Sequence, residues 1–286
     1  MNCRWLPLRQ LHWFTLAVFG LVIAARGAGA AELQYPLSIA AGPDNALYLA
    51  DLNLPGVWKI NDGKLQLFFE GSKKFRTPLN RVRCVAVDAK GRLLAGDSST
   101  REVYRFEEGN TPKPLTKGGI GIPMSIAFDS KGNIFVADLE IHRIMKVPEE
   151  GGEPVEFLAV PAPRGLAMDQ DDRLWVVSHG KDQLLRISPD AKLETIVSGR
   201  PFQFPHTVVL DAELNAYVCD GYAKAVWKVD AAGKPVKFVE GPPLMNPVGL
   251  AWQGDRLLIA DPHAKQVFTV SKDGKLEPLA MEPVSK

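Results

Sequence analysis

His206 is the residue with the clearest chemical potential in this chain, because an imidazole can transfer protons near neutral pH or ligate a metal. It lies in the segment FPHTVVLDAELNAYVCD, residues 204–220, after a proline and before a short apolar run. Arg83 and Arg164 occupy the same place before two other apolar runs. Guanidinium groups bind carboxylates and phosphates through paired hydrogen bonds. These residue types therefore predict a site for a small anion, provided that the fold brings them together.

The segments that carry these residues are copies of one unit, which occurs six times between residues 35 and 280. Each copy has an apolar run, a turn rich in Asp and Gly, a second apolar run, and two further strand-like runs. The second runs end at Asp51, Asp97, Asp138, Ser178, Asp220 and Asp261. Four short strands every 40 to 46 residues are typical of propeller blades.

The sequence thus predicts an all-β fold, a six-bladed β-propeller with four antiparallel strands per blade and blades that are contiguous in sequence. The predicted blades cover about residues 35–71, 78–119, 120–160, 161–199, 200–241 and 242–280. Because little chain precedes the first blade, we expect the ring to close by packing alone. Cys84 and Cys219 fall in blades far apart in this order, so we predict two buried free thiols.

The N-terminus has the three parts of a secretory signal peptide. Two arginines precede the apolar run WFTLAVFGLVIAA, and small residues follow it up to Ala30. We expect residues 1–30 to be removed and residues 31–286 to form one domain in the periplasm or outside the cell. A net charge of +1 gives the chain no overall attraction to nucleic acid or to a membrane surface. We expect neither partner after cleavage, and we expect a monomer.

The copies resemble the NHL repeat, and the best match is IPMSIAFDSKGNIFVADLEIHRIMKV, residues 122–147. The resemblance implies a six-bladed propeller of the gluconolactonase and senescence-marker-protein-like superfamily. It also implies that the first strand of each blade lies innermost. The central mouth would then be lined by the residue after each blade's proline and by the loop after each recurring aspartate.

Residues that recur in every blade are expected to build the fold, and residues that break the repeat are available for function. The recurring aspartates should accept hydrogen bonds from loop N–H groups. The position after the proline does not recur; it holds Leu37, Arg83, Met124, Arg164, His206 and Val248. The predicted ligand-binding residues are Arg83, Arg164, Ser178, His179, His206, Asp220, Tyr222 and His263.

Each candidate also has a structural explanation. His206 could hydrogen-bond a neighbouring aspartate, and Arg164 could pair with Asp138 or Asp220. The insertion GSKKFRTPLNRVR, residues 71–83, could cover the mouth with positive charge or be a solvated surface loop.

Two functions remain open from the sequence, and whether the protein is an enzyme stays undecided. The first is binding of a small anionic molecule, or of a peptide partner, at the mouth. The second is a metal-assisted hydrolase or lyase, resembling the lactonases or the amidoglycolate lyases, which would place Ca²⁺ or Zn²⁺ in the same pocket with His206 as a ligand. The first blade reads YPLSIAAGP and lacks the Glu-Gly-Pro run of the metal lactonases.

Overall fold

The structure is a computed structural model that describes residue 1 and residues 32–74, 76–107 and 110–283. The expected signal peptide, apart from Met1, lies outside the described residues. Within the described ranges, no helix combines the length and apolar character that a membrane crossing requires.

Six blades of four antiparallel strands make up the fold, and each blade uses consecutive strands of the chain. Blades 1 to 3 comprise β1 (Pro36–Ala41), β2 (Leu47–Asp51), β3 (Gly56–Asn61), β4 (Lys64–Glu70), β5 (Val82–Val87), β6 (Leu93–Asp97), β7 (Glu102–Glu107), β8 (Thr111–Pro114), β9 (Pro123–Phe128), β10 (Ile134–Asp138), β11 (Arg143–Val147) and β12 (Val155–Ala159). Blades 4 to 6 comprise β13 (Pro163–Met168), β14 (Leu174–Ser178), β15 (Leu184–Ile187), β16 (Leu193–Val197), β17 (Pro205–Leu210), β18 (Ala216–Asp220), β19 (Ala225–Val229), β20 (Pro235–Glu240), β21 (Gly249–Gln253), β22 (Arg256–Asp261), β23 (Gln266–Val270) and β24 (Leu276–Pro278). A 3-10 turn, Pro43–Asn45, joins β1 to β2.

The first strands of successive blades contact one another, and β1 also contacts β21, so the sheets form a closed ring. The predicted six-bladed propeller is therefore confirmed. The second strands are buried along their whole length, except at Arg256 at the start of β22, because a neighbouring blade covers each of their faces. This double burial explains why they read as continuous apolar runs instead of alternating ones. Apolar clusters fill the spaces between adjacent blades.

The prediction that the ring closes by packing alone is wrong in one detail. A twenty-fifth strand, β25 (Glu282–Pro283), pairs in parallel with β4 of the first blade. The N–H of Glu282 donates to the carbonyl of Gly63 at 2.6 Å. The outer strand of a blade has unpaired backbone N–H and C=O groups along its free edge. In blade 1 the segment that follows blade 6 forms hydrogen bonds with some of these groups.

Cys84 and Cys219 are buried free thiols, as the repeat order predicts. Burial raises the pKa of each thiol to about 12, so both remain protonated at physiological pH. The Sγ of Cys219 donates to the carbonyl of Val248 at 2.9 Å and thereby links blades 5 and 6. Both cysteines therefore act as packing residues.

The recurring aspartates have the structural role that the repeat predicts. Asp51 accepts hydrogen bonds from the N–H groups of Gln34 (2.7 Å) and Tyr35 (2.8 Å), which precede β1, and of Asn53 (2.9 Å), which follows β2. Asp97, Asp138, Asp220 and Asp261 make the same kinds of bond in their own blades. Each carboxylate therefore joins two loops at one end of its blade.

In blades 1 to 5 a β-bulge near the start of the inner strand sets the residues of the variable column apart from the ladder. In the first three blades the register shifts by one residue at Leu37, Arg83 and Met124. In blades 4 and 5 the shift falls between Pro163 and Leu166 and between Pro205 and Val208. A bulge leaves a residue unpaired and re-aims its side chain. The backbone thus presents this variable column of the repeat to the ring centre.

Candidate functional site

The central mouth opens into a cavity of about 550 Å³, a size typical of small-molecule sites. All six residues of the variable column line it, as the resemblance implied: Leu37, Arg83, Met124, Arg164, His206 and Val248. Tyr222 and His263, also predicted from the sequence, line the same cavity. The fold therefore brings together five of the eight predicted ligand-binding residues.

The cavity is positively charged. Arg83 and Arg164 enter from blades 2 and 4, and the described residues that line the cavity include no aspartate or glutamate. Two guanidinium groups without an opposing carboxylate favour a negatively charged occupant.

Arg164 has no ion-pair partner among the described residues. Its Nε is buried and makes no hydrogen bond, while its Cζ lies 5.6 Å from the ring centroid of Phe204. Asp138 and Asp220, the partners considered from the sequence, are 1% and 0% exposed and accept backbone N–H groups instead. Burial, followed by the charge of Arg83, lowers the pKa of Arg164. An unpaired buried guanidinium nitrogen is costly, and a bound anion would remove that cost.

Arg83 is held by a neighbouring hydroxyl. Its Nε donates to Oγ of Ser98 at 3.1 Å, and this bond fixes the side chain at the wall of the cavity. Burial first, and then the charge of Arg81, lowers the pKa of Arg83. The remaining guanidinium nitrogens have no carboxylate partner among the described residues and are available to a ligand.

His206 lies against aromatic and basic neighbours. Its ring centroid is 4.9 Å from that of Phe204 and 6.3 Å from that of His179. Burial, the charge of Arg164 and the proximity of His179 lower the pKa of His206 to about 3. The ring is therefore neutral at physiological pH and offers one donor and one acceptor. The hydrogen bond to an aspartate that the sequence allowed is not made within the described part of the chain.

Two aromatic pairs flank the mouth. Phe204 and Tyr222 stack with centroids 4.5 Å apart and planes inclined by 14°. Tyr35 and His263 meet edge to face at 6.0 Å. Phe204 and Tyr35 are cavity residues that are absent from the set predicted from the sequence. Both immediately precede the proline of their blade, and an aromatic residue in that column is the signal that could have revealed them.

Three predicted residues lie outside the cavity wall. Asp220 is buried and holds backbone N–H groups, and Ser178 takes the equivalent place in blade 4. The Ser178 hydroxyl donates to the Pro161 carbonyl and accepts from the N–H of Gly180. His179 donates from Nε2 to the carbonyl of Pro205 at 2.6 Å, and burial lowers its pKa. These three residues position the site without lining it.

The basic insertion contributes one cavity residue. Arg83 lines the cavity, whereas Lys73, Lys74, Arg76 and Arg81 do not. Asn80 and Arg81 instead donate their N–H groups to Asp97 and tie the insertion to blade 2.

The residues at the mouth do not fit a metal of the lactonase or lyase type. Within the described residues, no three or more His, Cys, Asp or Glu side chains cluster in a way that could hold a metal ion. His206 and His263 line the cavity without a carboxylate ligand, and two guanidinium groups share it. A catalytic zinc site needs about three protein ligands, and calcium prefers carboxylate oxygens.

Comparison with known proteins gives the family. The family model described as "SMP-30/Gluconolactonase/LRE-like region" matches residues 21–209. The chain belongs to this family. The assignment agrees with the superfamily that the repeats resemble, and it covers the first four blades and the start of the fifth.

Among solved structures, a gluconolactonase from Xanthomonas campestris superposes with a TM-score of 0.72 at 16% identity, over 87% of this chain and 88% of the other. Virginiamycin B lyase from Staphylococcus aureus superposes with a TM-score of 0.67 at 15% identity, over 89% and 88%. At these identities the likeness concerns the fold. A segment of 65 residues is 38% identical to human E3 ubiquitin-protein ligase TRIM32. That match spans 22% of this chain and 10% of the ligase.

Proposed function

We propose that this SMP-30/gluconolactonase/LRE-like protein is exported and binds a small anionic molecule at the mouth of its propeller. Arg83 and Arg164 supply the positive charge for the anion, and His206 supplies a neutral hydrogen-bonding group beside them. Export is supported by the signal-peptide pattern of residues 1–30.

The observation that carries this proposal is the unpaired guanidinium of Arg164 in a cavity whose described wall has no carboxylate. The buried Nε of this half-buried side chain has no acceptor, and a buried donor without a partner is destabilising. Asp138 and Asp220, the partners considered for Arg164 from the sequence, already accept backbone N–H groups. An anion that enters the cavity would meet Arg164 without first displacing an internal partner.

A metal-assisted hydrolase or lyase in the same pocket is the alternative that family membership favours. It needs a metal ligand set that the described residues do not supply. Anion binding requires only groups that are already at the mouth, and it is therefore the function that the geometry supports best.

The test is titration calorimetry of sodium benzoate against the wild-type protein and the Arg164→Met variant. Methionine keeps much of the side-chain volume and removes the charge. Because hydrogen bonds to charged groups are worth about 1.5–3 kcal/mol, we expect benzoate affinity to fall about 10- to 100-fold.

Arg101→Met is the matched control, because Arg101 is an exposed arginine paired with Glu140 outside the cavity. We expect this variant to bind benzoate like the wild type. Unchanged affinity in Arg164→Met, or an equal loss in both variants, would refute the proposal.

A further inference from the structure

We propose that the anion bound at the mouth carries a planar aromatic group, which lies against the Phe204–Tyr222 stack while its carboxylate reaches Arg164. This inference rests on the proposed function and narrows its ligand to aromatic carboxylates. It assigns Phe204 and Tyr222 as the residues that determine specificity.

The stack offers an aromatic surface beside the cavity. Tyr222 lines the cavity and is 65% exposed, although one face of its ring covers Phe204. A ligand that covers this ring would bury a large apolar surface, and such burial is favourable. Aromatic rings pair with each other in offset-stacked or edge-to-face geometry and gain about 0.5–1.5 kcal/mol beyond the area buried.

Comparison of the blades shows that the stack departs from the repeat in two columns at once. The residues before the blade proline, or before Val82 in blade 2, are Tyr35, Arg81, Ile122, Ala162, Phe204 and Asn246. The residues two places after the recurring Asp or Ser are Asn53, Ser99, Glu140, Gly180, Tyr222 and His263. Blade 5 is the blade in which both columns hold aromatic residues. The fold does not require this pair, since five other blades are built without it.

The scaffold of blade 5 holds the stack in place from behind. Oδ1 of Asp220 accepts the N–H of Phe204 at 2.8 Å and that of Ala223 at 3.2 Å, so one carboxylate fixes the backbone beside both rings. The ring of His179 packs edge to face on Phe204 at 4.6 Å. The surface is thus preorganised, and a ligand would lose little free energy in ordering it.

The position of Arg164 sets the distance between the acid group and the aromatic group of the ligand. Its guanidinium carbon lies over the ring of Phe204, 5.6 Å from the centroid, so the charge lies at the Phe204 side of the stack, and Tyr222 supplies the exposed ring. A ligand whose ring contacts the side of the stack that faces the cavity would bring a carboxylate, attached to the ring directly or through a short linker, towards Arg164. A flexible polyhydroxylated acid would reach Arg164 and leave the aromatic surface uncovered.

The experiment compares benzoate with cyclohexanecarboxylate, which has the same charge and a ring of similar size without aromatic character. Affinities are measured by calorimetry on the wild-type protein and on the variants Tyr222→Leu and Tyr222→Phe. Because Tyr222 is exposed, neither substitution removes a core residue. Gluconate serves as a polar carboxylate probe and benzyl alcohol as a neutral aromatic probe.

We expect the wild type to bind benzoate about 3- to 10-fold more tightly than cyclohexanecarboxylate and more tightly than gluconate, as an aromatic contact of this size implies. Tyr222→Leu should lose this preference, and Tyr222→Phe should keep it. Benzyl alcohol should bind far more weakly than benzoate.

Equal binding of the three acids, with no effect of Tyr222→Leu, would overturn the aromatic inference and leave the anion site standing. If no acid binds the wild type, the proposed function fails and the inference fails with it. If benzyl alcohol binds as well as benzoate, the carboxylate contact to Arg164 is wrong.

Discussion

Blades 3 and 5 have the same backbone plan but carry different chemistry. In each, the recurring aspartate holds the loop N–H groups and a bulge interrupts the start of the inner strand. Blade 3 places Met124 in the variable column and the ion-paired Glu140 in its loop. Blade 5 places His206 and Tyr222 at the same two positions. The repeated part of each blade is scaffold, and the unrepeated part gives the mouth its chemistry.

The largest effect should come from the scaffold, and it should be similar in the two blades. Asp138→Ala and Asp220→Ala each leave several buried N–H groups without an acceptor, so we expect each to lower the free energy of unfolding by about 3–5 kcal/mol. Urea denaturation measures this loss. At low temperature, where both variants stay folded, only Asp220→Ala should also bind benzoate more weakly.

Gly165 follows the variable column in blade 4, which lies between the two compared blades. Its substitution should destabilise the protein nearly as much as loss of a recurring aspartate. A Cβ on Gly165 would lie 2.7 Å from the carbonyl oxygen of His206 and 2.7 Å from Cα of Thr207. Gly165→Ala must therefore push β13 and β17 apart, and we expect a loss of about 2–3 kcal/mol. Ser125→Ala, at the matching position of blade 3, removes a hydroxyl that accepts the N–H of Leu166 and should cost about 1 kcal/mol. Equal losses in urea denaturation would contradict the close packing of β13 against β17.

The next effect is the pH dependence of the free energy of unfolding, to which blade 5 contributes through His206 and blade 3, with Met124 at that position, does not. The pKa of His206 is about 3 in the folded protein and near 6.5 in the unfolded chain, so the unfolded state binds a proton first as pH falls. The contribution of His206 to the free energy of unfolding should be constant well above the pKa of the unfolded chain. Between pH 7 and pH 5 it should fall by about 2 kcal/mol. His179, whose pKa burial also lowers, changes stability in the same direction.

Thermal unfolding at a series of pH values measures this effect. His206→Met, which copies the residue of blade 3, should flatten the slope between pH 7 and pH 5. An identical slope in wild type and variant would show that His206 is not kept neutral by burial.

The smallest effect belongs to the loop of blade 3. Glu140 pairs with Arg101 in an exposed position, so Glu140→Gln should change the free energy of unfolding by less than about 1 kcal/mol. Benzoate affinity should stay at the wild-type value, because neither residue lines the cavity. A large change in affinity would mean that the binding site extends to blade 3.

The sequence predicts the fold well because the apolar runs occur at matching positions in all six copies, and the aspartates do so in five of them. A pattern shared by the copies indicates the strands and turns of every blade. It also predicts the variable column, since every blade places that column at the mouth. Tertiary hydrogen bonds determine which of the other predicted site residues line the cavity. Asp220 and Ser178 belong to a column whose side chains bind backbone N–H or carbonyl groups, and this bonding withdraws them from the cavity.

The aromatic stack and the closing strand could not be derived from one copy of the repeat. Phe204 and Tyr222 lie 18 positions apart, and Asp220 brings them together from both sides. Glu282 pairs with β4, at the opposite end of the chain, and such pairing depends on ring closure. His179 was expected at the mouth, but its ring turns to the carbonyl of Pro205 in the next blade.

The most direct test of the central claim transfers the side chains of blade 3 onto blade 5. The triple variant Phe204→Ile, His206→Met and Tyr222→Glu installs the blade 3 residues at the three matching positions and leaves Asp220 and the bulge intact. We predict the wild-type circular dichroism spectrum, cooperative unfolding in urea and a loss of at least tenfold in benzoate affinity by calorimetry. A folded variant that binds benzoate as tightly as the wild type would contradict the separation of scaffold from site.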